Sequence, residues 1–147
     1  MYKISRELIE QRWGDAEATA DALGVLLLTW NQAAYRYGAF DYTRLQIFLE
    51  ANATILDEYR AMRLEDIAIL DTLRLSQLFN ALLDALVTAS GRRSPVGAGK
   101  ALHLLAPRMC PLWDNKIARQ YGCALYGAPG SAAKYGRFTQ RIKEVLT

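Results

Sequence analysis

Histidine and cysteine are scarce in this 147-residue chain: His103 is the only histidine, and Cys110 and Cys123 are the only cysteines. Zinc sites usually draw three or four ligands from these residue types, and a cysteine-ligated iron–sulfur cluster needs four cysteines. Two cysteines are also too few for the disulfide framework of a small secreted domain. We therefore expect reduced thiols, no metal and no cofactor. A Ser-His-Asp triad would have only His103 to use.

Long apolar runs are missing as well. No run exceeds four residues, as in residues 25–28, whereas a membrane-spanning helix needs about 20. The N-terminus, Met1-Tyr2-Lys3-Ile4-Ser5, lacks the basic and apolar regions of a signal peptide. We expect a cytoplasmic protein that has no membrane partner.

Apolar residues nevertheless make up 52% of the chain, and they recur at intervals of three and four residues. Sustained alternation with period two is absent, so the pattern predicts an all-α fold. The length predicts a single domain, residues 1–147, with one core. Capping residues, glycines and prolines divide the chain into seven predicted helices. Their approximate ranges are 15–37, 41–56, 64–70, 71–86, 94–106, 115–121 and 131–146.

Positive charge is concentrated in the last third of the chain. Residues 1–90 contain 8 lysines and arginines and 13 acidic residues, a net charge of −5. Residues 91–147 contain 10 basic and 2 acidic residues, a net charge of +8. A basic region of this kind is typical of proteins that bind a polyanion such as nucleic acid. The alternative is a solvated basic face that balances the acidic helices of the same domain.

One segment of the basic region contains residues that are typical of a catalytic site. Ser94-Pro95-Val96-Gly97-Ala98-Gly99-Lys100 is followed fourteen residues later by Asp114. Both charged residues fall near the starts of predicted helices, and the glycines leave room for close approach of a ligand. A P-loop would need a glycine at position 94 and a serine or threonine at 101, where this chain has Ser94 and Ala101. The pair instead predicts an amine nucleophile beside a carboxylate.

These residues resemble two motifs of the helix-hairpin-helix DNA glycosylases, the superfamily that includes the 8-oxoguanine glycosylases. In that family a hairpin of the type Leu-Pro-Gly-Val-Gly-x-Lys joins two helices, and a later Pro-Val-Asp-Thr-His-Val carries an aspartate at a helix start. Residues 94–100 match the proline and lysine positions. Pro111-Leu112-Trp113-Asp114-Asn115-Lys116-Ile117 matches the second motif with Trp113 inserted. The resemblance covers residues 90–122 and implies a compact all-α domain with a helix-hairpin-helix-like element.

The resemblance further implies a DNA N-glycosylase, with or without AP-lyase activity, that acts on a modified base in duplex DNA. Lys100 would attack the sugar C1′, and Asp114 would stabilise the positive charge that develops on the sugar. Because a base inside a duplex is out of reach, the target nucleotide would be extruded into a pocket. The residues expected to bind nucleic acid are Arg92, Arg93, Ser94, Gly97, Gly99 and His103. Those expected to line the base pocket are Trp113, Trp30 and Tyr35.

Each of these assignments has a structural alternative. Lys100 lies six residues into a predicted helix, where lysines are usually solvated, and Asp114 is suited to a helix N-cap. The tryptophans are suited to core packing, and His103 to a structural role. Two other functions stay open. One is a non-catalytic helical module that binds nucleic acid or a partner protein, and the other is an enzyme that releases bases from nucleosides or RNA.

Overall fold

Helices form nearly all of the regular structure. The computed structural model describes residues 2–30, 40–122 and 130–147. Within these ranges no strand occurs, and one isolated antiparallel bridge joins Phe40 to Thr88. The all-α prediction is confirmed. The helices in the described ranges are α1 (Tyr2–Gln11), α2 (Ala16–Trp30), α3 (Tyr42–Ala51), α4 (Ala53–Ala61), a 3₁₀ helix (Leu64–Asp66), α5 (Thr72–Ala85), α6 (Pro95–Leu105), α7 (Asn115–Gln120) and α8 (Ser131–Leu146).

Five helix starts that were predicted from capping residues are confirmed. In each, a side-chain oxygen accepts a hydrogen bond from a backbone amide of the first turn, which a helix would otherwise leave unpaired. Local side-chain chemistry therefore sets most of these boundaries. The pairs are Asp15 with Ala18 (3.0 Å), Asp41 with Thr43 (2.8 Å), Asp71 with Arg74 (3.0 Å), Ser94 with Gly97 (3.0 Å) and Asp114 with Ile117 (2.8 Å).

Two predicted helices differ from the structure, and a third is described only in part. Asn52 divides the range 41–56 into α3 and α4: its backbone leaves helical geometry (φ −109°, ψ 16°), and its backbone amide and side-chain amide both donate to the Phe48 carbonyl oxygen (3.0 Å and 2.9 Å). The range 64–70 forms only the 3₁₀ helix; Leu64 and Leu70 are buried in the core, whereas Ile69 is 89% exposed. The predicted end of the first helix at Tyr37 lies outside the described residues, in which α2 reaches Trp30.

Helix α1 is an element that the sequence-based prediction lacks. Its buried residues are Ser5 and Ile9, and Tyr2 packs against the core. These three positions do follow helical spacing, but ten residues with one fully buried apolar side chain make a weak pattern. The helix packs against α2 and α6. Contacts with other helices therefore stabilise α1, whose local sequence pattern alone is too weak to predict a helix.

Helix α6 occupies the centre of the fold. Eight of its 11 residues are buried, and it packs against α1, α2, α5 and α8. Around it, α8 packs along α5, and α2 packs against α1 and α3. Four aromatic rings, those of Phe79, Trp113, Tyr135 and Phe138, form a cluster between α5, α8 and the segment before α7. Lys100, in the middle of α6, consequently lies in the interior and not on a solvated helix face.

Ser94→Ala is expected to lower the free energy of unfolding by about 1–2 kcal/mol, because it removes an N-cap. The Gly97 amide that Ser94 pairs with is buried, so water does not readily replace the lost hydroxyl. Asp71→Ala is the matched control, since it removes the same kind of bond at an exposed helix start and should cost less. Urea denaturation of both variants measures the difference. An equal or larger loss in Asp71→Ala would contradict this account.

Candidate functional site around Lys100 and Asp114

Lys100 is a buried lysine, with 7% of its surface exposed. Its neighbours along the helix, from Gly97 to Leu102, are buried as well. Burial lowers the pKa of the Lys100 amine because desolvation disfavours the charged form, and the Asp114 carboxylate partly opposes this shift. A lower pKa increases the share of neutral amine, which is the nucleophilic form of lysine.

The contact between Gly99 and Trp113 brings the lysine and the carboxylate together. A Cβ atom built on Gly99 would lie 3.2 Å from the Trp113 carbonyl oxygen and 3.3 Å from the Trp113 Cβ. A larger residue at position 99 would therefore push the two segments apart. Lys100 and Asp114 are the next residues along each segment, and they interact electrostatically. Gly99 thus allows two segments of the chain to pack closely against each other. From the sequence, we had expected it to make room for a ligand.

Asp114 also has a structural task. Its Oδ1 accepts a hydrogen bond from the Ile117 amide (2.8 Å) at the start of α7, and its side chain is half-buried. The positive end of the helix dipole stabilises a carboxylate in this position. A carboxylate has two oxygens with several acceptor positions, so the cap leaves capacity for a further interaction. The N-cap role and a role beside Lys100 are therefore compatible.

The two arginines predicted to bind nucleic acid lie on the surface. Arg92 and Arg93 are exposed in the connection between α5 and α6. The Nε of Arg93 lies 2.9 Å from Oδ1 of Asp84, which forms an ion pair within the same hairpin. The backbone of Arg92 pairs with Thr88, which closes the turn. This placement leaves both side chains at the surface, as contact with a phosphate backbone requires.

Ser94, Gly97 and Gly99, which were also predicted to bind nucleic acid, are buried. The Ser94 hydroxyl accepts the hydrogen bond of the Gly97 amide (3.0 Å), so that amide is already used inside the protein. Gly99 faces Trp113. The structure therefore uses these three residues to start α6 and to pack it, and it does not bring them to the surface beside Arg92.

His103, the remaining residue predicted to bind nucleic acid, uses both ring nitrogens within the fold. Nδ1 lies 2.8 Å from the Cys110 carbonyl oxygen, and Nε2 lies 2.6 Å from the Tyr2 hydroxyl. Because a carbonyl oxygen only accepts, we assign the proton to Nδ1, and Nε2 then accepts from Tyr2. This arrangement is that of a neutral structural histidine, which the sequence offered as the alternative to phosphate contact.

Acidification is expected to destabilise the protein through His103. Burial lowers the pKa of this imidazole in the folded state, and the hydrogen bond to the Cys110 carbonyl only partly offsets the shift. The unfolded chain, with a histidine pKa of about 6.5, then binds the proton first. The free energy of unfolding should therefore fall as the pH drops below about 6.5, by at most about 1.4 kcal/mol per pH unit. Urea denaturation at several pH values measures this dependence of the free energy of unfolding on pH. The same dependence in His103→Gln would contradict its assignment to His103.

Trp113 lies wholly inside the aromatic cluster. Its ring centroid is 5.2 Å from that of Tyr135, 5.8 Å from Phe79 and 6.0 Å from Phe138, and none of its surface is exposed. As placed, it offers no ring face to an extruded base, and the placement supports the core role. Of the other residues predicted for the base pocket, Trp30 ends α2, and Tyr35 lies outside the described residues.

Exposed cations lie on α7 and α8. The sequence indicated a basic last helix, but it did not single out these residues. Lys116 and Arg119 are exposed on α7, and Arg137 and Arg141 are exposed on α8. A groove of about 600 Å³ runs between α5 and α8, and its charged lining residues are Arg137, Arg141 and Glu144; we call it the basic groove. The Arg141 guanidinium donates to the Tyr121 carbonyl oxygen, which ties α8 to the end of α7. The available signal was the net charge of residues 91–147, together with arginines spaced four apart on α8.

Among the described residues, no group of three or more histidine, cysteine, aspartate or glutamate side chains could hold a metal ion. No helix in the described part of the chain is long and apolar enough to cross a membrane. Comparison of the chain with protein-family models, with curated proteins and with solved structures found no match.

Proposed function

We propose that this protein is a DNA N-glycosylase, with or without AP-lyase activity, that removes a modified base by means of Lys100 and Asp114. The observation that supports the proposal most directly is a lysine only 7% exposed, with a lowered pKa, beside a carboxylate. Lysines are rarely buried, because desolvating the ammonium is costly. A lysine perturbed in this way next to a charged partner is typical of catalytic sites.

The chemistry would proceed through the neutral amine of Lys100. Its nitrogen attacks C1′ of the extruded nucleotide, and the bond from C1′ to the base breaks, so that the base leaves with the electron pair and takes up a proton. The Asp114 carboxylate stabilises the positive charge on the sugar and accepts a proton from the Lys100 nitrogen. The sugar ring then opens, with a proton moving to O4′, and a Schiff base forms. In the lyase step, loss of a proton from C2′ expels the 3′ phosphate.

This chemistry requires that the substrate reach Lys100. With 7% of Lys100 exposed, a sugar reaches the amine only when the side chains that cover the lysine move. Binding of the correct substrate can drive such a change, and it then completes the catalytic arrangement. The proposal therefore includes a conformational change at α6 and its neighbours on binding of damaged DNA.

Trapping with borohydride tests the proposal, because reduction converts a Schiff base into a stable amine. The protein is incubated with duplex oligonucleotides that carry 8-oxoguanine, thymine glycol, uracil or an abasic site, and covalent complexes are resolved on a denaturing gel. A trapped complex on at least one substrate supports the proposal. Absence of both trapping and base release on all four would contradict it.

A second candidate function is a non-catalytic module that binds nucleic acid, and the basic groove favours it. Arg137 and Arg141 line that groove, with Lys116 and Arg119 exposed on the neighbouring α7. Contacts of this kind go to phosphates and make affinity fall linearly with the logarithm of the salt concentration. The module differs from the glycosylase in its readout, which is salt-dependent duplex binding without release of any base.

A further inference from the structure

A separate pocket lies between α1, α4 and the turn that follows α6. Its volume is about 210 Å³, and the residues that line it are Arg6, Glu10, Arg60, Leu104, Pro107 and Arg108. Three of these six side chains are positively charged and one is negatively charged, so the lining carries a net charge of +2. Neither Lys100 nor Asp114 is among the lining residues.

The positive charge of this pocket is not balanced by close ion pairs. Elsewhere in the fold, arginines do pair with carboxylates at 2.8–3.0 Å, as in Arg74 with Glu58 and Arg93 with Asp84. Within the described part of the chain, none of the four charged side chains that line the pocket has an opposite charge within 4.0 Å. Glu10 acts on Arg60 only at longer range. Three arginines and one carboxylate, that of Glu10, therefore line one concave site without a close ion pair between them.

Arg60 is held in position before any ligand arrives. Its guanidinium carbon lies 4.2 Å from the centroid of the Trp13 ring, and its Nη1 donates to the Leu105 carbonyl oxygen (2.9 Å). The Trp13 ring is itself fixed, since its Nε1 donates to Asp57 Oδ1 (2.6 Å). A guanidinium carries five N–H donors, and the bond to Leu105 engages one of them. The remaining donors of a preorganised arginine bind an anion with little further loss of side-chain entropy.

The other two arginines border the same space from different elements. The Arg6 guanidinium carbon lies 5.8 Å from the centroid of the Tyr2 ring, and the Tyr2 hydroxyl is bonded to His103. Arg108 is anchored through its backbone, because its carbonyl oxygen accepts from the Leu64 amide (3.0 Å). Residues about 50 positions apart in sequence thus converge on one pocket.

We propose that this pocket binds the phosphate group of a small ligand, either inorganic phosphate or a phosphomonoester. A volume of about 210 Å³ corresponds to roughly seven water molecules at about 30 Å³ each, which accommodates the five heavy atoms of a phosphate. A phosphate has oxygens in a tetrahedral arrangement that can meet three guanidinium groups at once, whereas a planar carboxylate suits one or two. A dianion also matches the net charge of +2 on the lining.

Partial burial of Arg60 is consistent with this site. Desolvation lowers the pKa of its guanidinium, which means that the charge is less well solvated than on an open surface. Arg6 adds to the shift by repulsion, and Glu10 and Asp57 oppose it. An anion in the pocket would replace the lost solvation and reduce the repulsion between Arg60 and Arg6. Binding should therefore stabilise the folded protein in proportion to ligand concentration.

Thermal unfolding of the full chain at constant ionic strength tests the proposal. Inorganic phosphate or glycerol 2-phosphate replaces chloride in steps, and the midpoint temperature is recorded. We expect the midpoint to rise with either phosphate. In Arg6→Gln and Arg108→Gln, each exposed and so expected to fold, the apparent Kd should weaken at least about tenfold, because a charge-assisted hydrogen bond is lost. Arg44→Gln, which removes an exposed arginine outside the pocket, should match the wild type.

Several outcomes would overturn the proposal. One is a midpoint that responds to phosphate no more than to chloride, and another is equal binding by wild type, Arg6→Gln and Arg108→Gln. Displacement of phosphate by a short oligonucleotide at a lower concentration of phosphate groups would assign the pocket to a nucleic-acid backbone instead. Lys100→Gln should keep phosphate binding unchanged, so failure of the glycosylase proposal and failure of this one are distinguishable.

Discussion

Lys100→Gln is expected to abolish the borohydride-trapped complex and to reduce the rate of base release by on the order of 10³-fold or more. Removal of a catalytic nucleophile typically has an effect of this size, because the covalent step has no substitute. Glutamine has a similar length and carries no nucleophilic amine. Since the substitution removes a charge that is costly to bury, the variant should fold, and a circular dichroism spectrum like that of the wild type would verify it.

Two further variants separate the roles at this site. Lys116→Gln removes an exposed lysine on α7, close in sequence to Asp114, and it should leave trapping intact. Asp114→Asn keeps a residue that caps helices well while it removes the carboxylate. Release of a base should then fall sharply, whereas trapping on a preformed abasic site, where no glycosidic bond remains to be broken, should persist.

Three other outcomes would contradict the proposed role of Lys100 or the proposed glycosylase activity. Persistent trapping in Lys100→Gln would place the nucleophilic amine on another residue. Salt-sensitive duplex binding by a wild-type protein that neither traps nor releases any base would identify the binding module that the basic groove favours. Release of bases from nucleosides or RNA, with little affinity for duplex DNA, would identify the third possibility that the sequence left open.

Trp113→Ala is expected to lower the free energy of unfolding by about 3–5 kcal/mol, the usual cost of deleting a large aromatic side chain from a core. The ring is fully buried among Phe79, Tyr135 and Phe138, and its backbone packs on Gly99. The free energy of unfolding of a typical domain is about 5–15 kcal/mol, so this substitution would remove a large part of it. Urea denaturation followed by circular dichroism measures the change without relying on tryptophan fluorescence.

Leu73→Ala is the control for this second experiment. Leu73 is also a large apolar residue, but it is 68% exposed, so its removal should cost less than about 0.5 kcal/mol. A loss below about 1 kcal/mol in Trp113→Ala would mean that the ring is not part of the core in solution. The base-stacking role considered from the sequence would then become the better interpretation of Trp113.

The helix content and most helix starts followed from the sequence because they depend on local interactions. A cap such as Ser94 bonds to an amide three residues away, so neither needs the rest of the fold. Helix ends were harder to predict, as at Asn52, where the backbone leaves helical geometry although its amide still donates to the Phe48 carbonyl oxygen. Helix α1 was not predicted, because its formation depends on the residues of other helices against which Tyr2 and Ile9 pack.

The candidate site was predicted in part. Lys100 and Asp114 were singled out from a short motif, and the fold brings them together through Gly99 and Trp113. Burial of Lys100 was expected only as part of the glycosylase hypothesis, beside the alternative of a solvated lysine. The structure decides between the two, because the accessibility of a residue depends on the helices that surround it. The same limit applies to His103, whose partner Tyr2 lies 101 positions away in the chain. A sequence motif specifies residue types and spacing, and it carries no information about such distant partners.

What the sequence by itself determined is an all-α fold, the caps that begin its helices and a basic last third that contains a lysine and an aspartate in a suggestive order. These properties are fixed by residues within a few positions of one another. Only the tertiary structure decided that Lys100 is buried and that Arg6, Arg60 and Arg108 share one pocket. The reason is physical: burial and the convergence of charges arise from the packing of helices that are far apart in the chain.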